Sequence, residues 1–395
     1  MGNTLGMPWH TPDLMSSRLE FVLLASQAGV NFRQLCRRYQ VSAKTGYKWK
    51  KRYREGGAEA LGDRSRRPVR SPSRCRPETE AQVVTLYQET LYGGFKLRRR
   101  LRDLGVAAAP AASTCTQILR RAGCLGQGGE PRGAPFRRFE RAQPNELWQM
   151  DFKGHFATQA GARCHPLTVI DDHSRFNLLL EPLTNQTGPT VQQALTRAFA
   201  QHGLPEALLC DNGAPWGAAE PVCPYTTLTV WLLRLGVRVL HGRPYHPQTQ
   251  GKDERFHRTL QRELLSRHTW RDLSHCEALF PPYRHRYNCE RPHHSLNGDT
   301  PVRHYRPSPR SLPAALPAVE YAGAMTVKTV RSFGGITFGN QTWYIGRAFA
   351  GLPVGLRPCP HTDGRWEVWF AHDQLGLIDL TTPSVPKHQL RSIYS

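Results

Sequence analysis

The sequence predicts a multidomain chain: all-α helical blocks in front, a mixed α/β domain in the centre and a small β-barrel at the end. Three observations predict it. The 395 residues are enough for about two to four domains at roughly 100–200 residues each. Up to about residue 124, apolar residues recur at helical spacing, and Gly-, Pro- and Arg-rich stretches interrupt them. From Glu146 short apolar runs alternate with helical patterns, and beyond Tyr321 strict alternation with Gly turns takes over.

Composition narrows the class. Lys and Arg number 53 against 31 Asp and Glu, a formal charge of +22. Residues 1–140 alone hold 26 cations and 11 acids, a net +15. Such a balance points to a polyanionic partner, gripped mainly by the first third of the chain. With 9 Trp, 13 Tyr and 15 Phe, full disorder is excluded. No run approaches the ~18–20 apolar residues of a membrane span; the best, 230–240, is broken by Arg234 and Arg238. The opening MGNTLGMPWH matches no secretory signal, and Gly6 stands where myristoylation needs Ser or Thr. The 10 Cys are scattered with no CxxC, which reads as reduced thiols and a cytoplasmic, nucleoid-associated protein.

Residues 1–57 read as a helix-turn-helix domain, with helices over 16–28, 32–39 and 42–55. Asn31 and Ser42 stand as N-caps, and Gly56-Gly57 stops the third helix. That helix carries Lys44, Thr45, Tyr47, Lys48, Lys51 and Arg52, a mixture of phosphate-seeking cations and groups able to touch base edges. Residues 58–77 read as a basic linker. Residues 78–124 form a second helical block, with helices over 78–89, 95–104 and 113–122. Its middle helix presents Lys96, Arg98 and Arg99, with Arg100 and Arg102 beside them, as candidate phosphate contacts. Residues 125–145 are a second linker.

Residues 146–300 form the α/β domain. Strands are expected over 147–156, 163–171, 176–183, 207–210 and 237–240, and helices over 187–202, 226–235, 248–267 and 273–288. A Pro-rich linker, 301–319, leads to the barrel at 320–395. Three acids stand out. Asp151 lies inside the first strand, and Asp211 ends the apolar run Ala207-Leu208-Leu209-Cys210. Glu254 lies in the first turns of the long helix. Acids at strand ends beside loops are well placed for a site. Three of them meeting would repel unless cations lay between; Mg²⁺ suits such hard oxygen ligands, and a pair of ions suits phosphodiester chemistry. Spacing alone does not establish that they meet. His293-His294 and His241 with His246 lack a Cys pair to complete a zinc site and read as exposed or nucleic-acid-facing.

The segments Trp148-Gln149-Met150-Asp151-Phe152, Val169-Ile170-Asp171-Asp172-His173-Ser174-Arg175, Cys210-Asp211-Asn212-Gly213 and 247–260 (PQTQGKDERFHRTL) resemble the integrase catalytic core of DDE transposases. The nearest likeness is to the IS481-type insertion-sequence transposases, within the superfamily that includes retroviral integrases. The front helix-turn-helix and the stretch Tyr287-Asn288 to Arg291-Pro292-His293 resemble that family too. The resemblance implies an RNase H-like core whose triad falls on Asp151, Asp211 and Glu254, with two Mg²⁺ ions, or Mn²⁺ in their place. It treats Asp253 as a bystander and Asp171-Asp172 as a strand-end turn paired by Arg175. Two departures stand out. The gap between Asp211 and Glu254 is long, 42 residues (254 − 211 − 1), and Gln261 occupies a position where the family often has Lys or Arg. Arg258 and Arg262 flank it as substitutes. The implied activity is DNA cleavage and strand transfer at the terminal inverted repeats of an element, into target DNA, by at least a dimer and without a membrane. The alternatives are a plain RNase H-like nuclease and a DNA-binding regulator with an inactive core.

Overall fold

The computed structural model describes residues 14–63, 74–125, 140–217, 225–241, 251–321, 323, 325–360, 362–381 and 388–390. The chain divides into two compact units, residues 1–74 and 75–395.

The first unit is a three-helix bundle: α1 (Leu14–Ala25), α2 (Phe32–Arg38) and α3 (Ala43–Gly56). Asn31 caps α2 by accepting from the Gln34 amide, and Ser42 caps α3 by accepting from Thr45, so two donors that the helices leave open are satisfied. Phe21, Val22, Cys36 and Trp49 form the core. The unit does not stop at Gly57. A 3₁₀ turn, Ala58–Leu61, buries Leu61 completely in that core, and Arg18 donates to the Leu61 carbonyl. Part of the stretch expected to be linker is therefore core, because it contributes an apolar anchor. Residues 64–73 of that linker, and 126–139 of the next, lie outside the described residues.

The second unit opens with α4 (Pro77–Thr90), α5 (Gly94–Asp103) and α6 (Ala112–Arg121), packed around Val83, Leu97, Leu101, Ile118 and Leu119. The central sheet follows: β1 (Trp148–Phe152), β2 (Phe156–Ala157), β3 (Arg163–Asp171), β4 (Asn177–Leu183), β5 (Ala207–Cys210) and β6 (Arg238–His241). Its spatial order is β4-β3-β1-β5-β6, with β2 pairing the start of β3. The first four strands pair antiparallel, while β1-β5 and β5-β6 are parallel. The expected strand over 147–156 is thus two strands, broken by Gly154 in the left-handed region. Helices α7 (Gly188–His202) and α8 (Thr227–Arg234) cover one face through Val191, Leu195, Phe199 and Trp231. Helices α9 (Gly251–Glu263) and α10 (Leu273–Cys289) cover the other through Phe256, Leu260, Phe280 and Tyr287. Covered on both faces, β1 buries Gln149 as well as Trp148 and Met150.

Two expectations change here. The Pro-rich stretch 301–319 is a strap rather than a free linker. Tyr305 stacks on Phe176 with ring centroids 4.2 Å apart. The Arg310 guanidinium donates to the carbonyls of Pro205, Leu235 and Gly236 at 2.6, 3.0 and 2.8 Å. Nor, among the described residues, do the last strands close a barrel. Among the described residues, β7 (Thr326–Thr329), β10 (Pro353–Pro358), β11 (Arg365–Phe370) and β12 (Asp373–Asp379) form one open sheet, in the order β12-β11-β10-β7. A second contains β8 (Gly335–Phe338), β9 (Gln341–Tyr344) and β13 (His388–Gln389). Both sheets pack around Ile336, Trp343, Phe349, Val354 and Phe370, and Val230 and Leu233 of α8 complete that core. Alternating residues thus find an apolar partner in a helix and in a second sheet, without closure.

Replacing Arg310 by Ala leaves three carbonyls without their charged donor. The expected cost is about 2–3 kcal/mol, read as a lower urea midpoint of the full chain with the slope unchanged.

Candidate active site

The site is built by strand register. In β1 and β5, Trp148 lies opposite Leu208 and Gln149 opposite Leu209. Continuing that register by two residues brings Asp211, just past the end of β5, level with Asp151. On the other side Asp151 pairs with Thr168 of β3. Helix α9 packs across β1 and β3, and its first turn carries Asp253 and Glu254.

Electrostatics place the three acids in one field. Burial pushes the Asp151 carboxyl up to about 6, and the charges of Asp211 and Glu254 push in the same direction. The Phe152 amide, which donates to Asp151 Oδ1 at 2.8 Å, and the Lys153 ammonium oppose this. The acids stand apart: among the described residues, no three His, Cys, Asp or Glu side chains group closely enough to hold a metal together. Their chemistry nevertheless fits hard divalent cations. They are all-oxygen donors, and Asp151 is half-buried and repelled by the other two.

Sequence reasoning missed the residues that hold this arrangement. His257 lies one turn beyond Glu254, with Nε2 2.8 Å from the Thr168 hydroxyl and Nδ1 3.8 Å from Asp151 Oδ2. The Thr168 hydroxyl also donates to the Asp151 carbonyl at 2.9 Å. Burial pushes the His257 imidazole down to about 3, so it is neutral at pH 7. Asp253 is no surface bystander. It is fully buried, its Oδ1 accepts from Thr168 at 3.2 Å, and burial raises its carboxyl well above the usual range. Next to it, the Lys252 ammonium lies 2.5 Å from the buried Asp172 Oδ1 and donates to the Asp172 carbonyl, which pins the start of α9 to the end of β3. The far end of α9 is pinned by the buried Arg291–Glu263 pair. The i, i+4 spacing of Asp253 and His257 was visible in sequence; their partner Thr168 was not.

Asp171 and Asp172 do form the strand-end turn. Asp171 accepts from the Ser174 hydroxyl and from the amides of Ser174 and Asn145. Arg175, however, pairs with Glu140 at 3.0 Å rather than with either Asp.

An open groove beside Glu254 is lined by Lys153, His257, Arg258, Gln261 and Arg262, so both flanking arginines reach the site. Gln261 donates to the Ser266 hydroxyl. Of the candidates in the first unit, Lys44, Tyr47, Lys48 and Lys51 are exposed along α3, whereas Thr45 joins the Ser42 cap and Arg52 lies 4.9 Å over the Trp49 ring. In α5, Arg99 reaches Asp299 at 3.0 Å and Arg100 reaches Glu290 at 2.5 Å. Lys96 is largely buried, and burial, then Arg291, lowers its ammonium to about 7. Arg98 is partly buried, its Nε without a hydrogen-bond partner. His293 is buried rather than exposed, and His294 stacks on Phe95. The 242–250 stretch, including His246, lies outside the described residues.

Family comparisons cover these regions. Two models described as integrase core domains match residues 141–247 and 235–301. A helix-turn-helix model matches 17–68 and a homeodomain-like model 45–119. The model of the IS481 family transposase C-terminal domain matches residues 325–386. Residues 141–301 thus match integrase core domains, and residues 325–386 match the C-terminal domain of an IS481 family transposase. It is 30% identical over 154 residues to the 31.7 kDa protein of insertion element IS407 from Burkholderia multivorans, covering 39% of this chain and 53% of that one. It is 27% identical over 174 residues to the 39.2 kDa protein of insertion element IS476 from Xanthomonas euvesicatoria, covering 44% and 48%. The chain thus spans about half the length of the curated relatives it matches. Among solved structures, the HTLV-2 integrase catalytic core in complex with magnesium aligns at 15% identity and a TM-score of 0.33, over 42% of this chain and 99% of that one. Among the described residues, no helix is long and apolar enough to cross a membrane.

Lys252→Met removes the only ion-pair partner given to Asp172 among the described residues. The expected loss is about 3–5 kcal/mol, read as a urea midpoint shift, and adding Asp172→Asn in the same chain recovers part of it.

Proposed function

We propose that the chain is a DDE transposase that binds the ends of an insertion sequence and carries out metal-dependent strand cleavage and strand transfer. One observation supports the reading: the charges of Asp211, just past the end of β5, and Glu254, at the start of α9, both raise the carboxyl of Asp151 in β1. A half-buried carboxylate whose charge is opposed by two further acids fits a site that takes hard divalent cations.

Asp151, Asp211 and Glu254 would hold two Mg²⁺ ions, or Mn²⁺ in their place, without any covalent part of their own; bound there, the ions would supply Lewis-acid stabilisation of the attacking and leaving oxygens. Lys153, Arg258 and Arg262 hold backbone phosphates along the groove. Thr168 holds the Asp151 backbone carbonyl and His257, and His257 stands beside the Asp151 carboxylate. In cleavage, the oxygen of water bonds to phosphorus as the bond to the 3′ oxygen breaks, leaving a 3′-OH and a 5′-phosphate. In transfer, that 3′-OH attacks a target phosphodiester and a target 3′-OH leaves. Each step exchanges one phosphorus–oxygen bond for another, so no energy source is needed. Exposed cations on α3 serve the DNA grip. Bringing two ends together implies at least a dimer of this chain on DNA, acting in the cytoplasm at the nucleoid.

Glu254→Gln tests the reading in a Mg²⁺ assay on duplexes bearing the inverted repeats that flank the coding region. Loss of both cleavage and strand transfer, by at least about a thousandfold, is expected, with duplex binding in EDTA within a few-fold of wild type. Full cleavage by this variant contradicts the assignment. Cleavage without transfer by the wild-type chain favours the plain nuclease, and binding with neither favours the regulator.

A further inference from the structure

The block α4–α6 places an Arg-rich helix beside one with few charges, and the structure reverses which of them looks outward. In α5, Lys96 is largely buried, Arg99 and Arg100 end on Asp299 and Glu290, and Phe95 lies against His294 at 4.2 Å. The Arg267 guanidinium adds two bonds to the last carbonyls of α4, at Gln88 and Glu89. Of the α5 cations, only Arg102 is exposed. Cations neutralised by carboxylates of the catalytic domain displace few counterions from DNA.

Helix α6 behaves differently. Cys115, Ile118 and Leu119 hold it in the block, while Ser113, Gln117 and Arg120 are exposed at i, i+4 and i+7, along one face. Helix α3 of the first unit has the same layout: Gly46 and Trp49 point inward, and Lys44, Lys48 and Lys51 are exposed at i, i+4 and i+7. Each is the last helix of a three-helix unit, the place from which a helix-turn-helix enters the major groove. Gln matches the adenine edge and Arg the guanine edge. In the last turn, exposed Arg120 adds charge toward the groove's flanking phosphates, while Arg121 is paired with Glu80 at 2.7 Å.

We propose that α6, and not the Arg-rich α5, is the base-reading helix of the second block, with Gln117 and Arg120 at base edges in the major groove of double-stranded DNA. Helix α5 is the clamp that sets α6 at a fixed angle to the catalytic domain. The proposal rests on the end-binding reading above and adds to it: the chain reads a two-part site, one part with α3 and the other with α6.

The full chain is used to select from a randomised duplex library about four helical turns long. Wild type is expected to enrich two separate blocks of bases. Gln117→Ala is expected to flatten one block and to weaken binding to the wild-type-selected duplex about tenfold, with binding to an unselected duplex unchanged. Because Gln117 is exposed, this variant keeps its wild-type melting temperature. Arg99→Gln is expected to lower melting but to keep both blocks. Two blocks in wild type that survive Gln117→Ala overturn the α6 assignment alone, as does loss of a block in Arg99→Gln. A wild-type chain that enriches no sequence contradicts the end-binding reading itself.

Discussion

Two parallel strands cannot be joined by a tight turn; the chain must cross over and return, and where it returns decides which residues finish side by side. Between β1 and β5 that return is made through β3, β4 and α7, and its register sets Asp211 level with Asp151. The rest of the chemistry depends on this pairing. Helix α9, held at both ends by Lys252 on Asp172 and by Glu263 on Arg291, sets Glu254 where its charge reaches Asp151. Both fastenings are buried ion pairs, whose geometry tolerates little sliding. The site is thus a strained electrostatic arrangement on a rigid support, and the strain falls on Asp151, the most enclosed of the three acids.

Much of the central sheet was legible in the sequence. The strands Arg163–Asp171 and Ala207–Cys210 begin and end where their apolar runs do. Both are bounded by polar turns, and a buried strand has no other way to leave a sheet. The caps Asn31 and Ser42 were equally legible, since capping is decided within four residues. What escaped was long-range. Pro-rich composition at 301–319 signals the absence of helix, not the absence of burial, so Tyr305 and Arg310 gave no local sign of their partners. Alternation in the last domain marks strands but not whether a sheet closes; an open pair backed by α8 satisfies the same pattern.

Resemblance singled out Asp151, Asp211 and Glu254, while the residues that support them gave no such signal. Thr168 appears in sequence as one β-branched residue in a strand of apolar ones, and only the fold shows its hydroxyl against both His257 and the Asp151 carbonyl. Asp253 was passed over because Glu254 fits the family pattern; the helix turns Asp253 inward and Glu254 outward, so the two neighbours differ wholly in burial. Charge misled in the same way. The cations of α5 were read as phosphate contacts, yet their acids, Glu290 and Asp299, lie about two hundred residues further along. The +22 excess therefore overstates what the second block offers to DNA.

The central claim is that Asp151, whose carboxyl is raised by burial and by the charges of Asp211 and Glu254, forms a divalent-cation site with them. Melting of the full chain with and without Mg²⁺, for wild type and Asp151→Asn, tests it directly. Wild type is expected to gain a few degrees with millimolar Mg²⁺, about 1–3 kcal/mol of binding linkage. Asp151→Asn, relieved of one repelling charge, is expected to melt at or above wild type without metal and to gain nothing when Mg²⁺ is added. A wild-type melting point that ignores Mg²⁺, or an Asn variant that still responds to it as wild type does, contradicts the account.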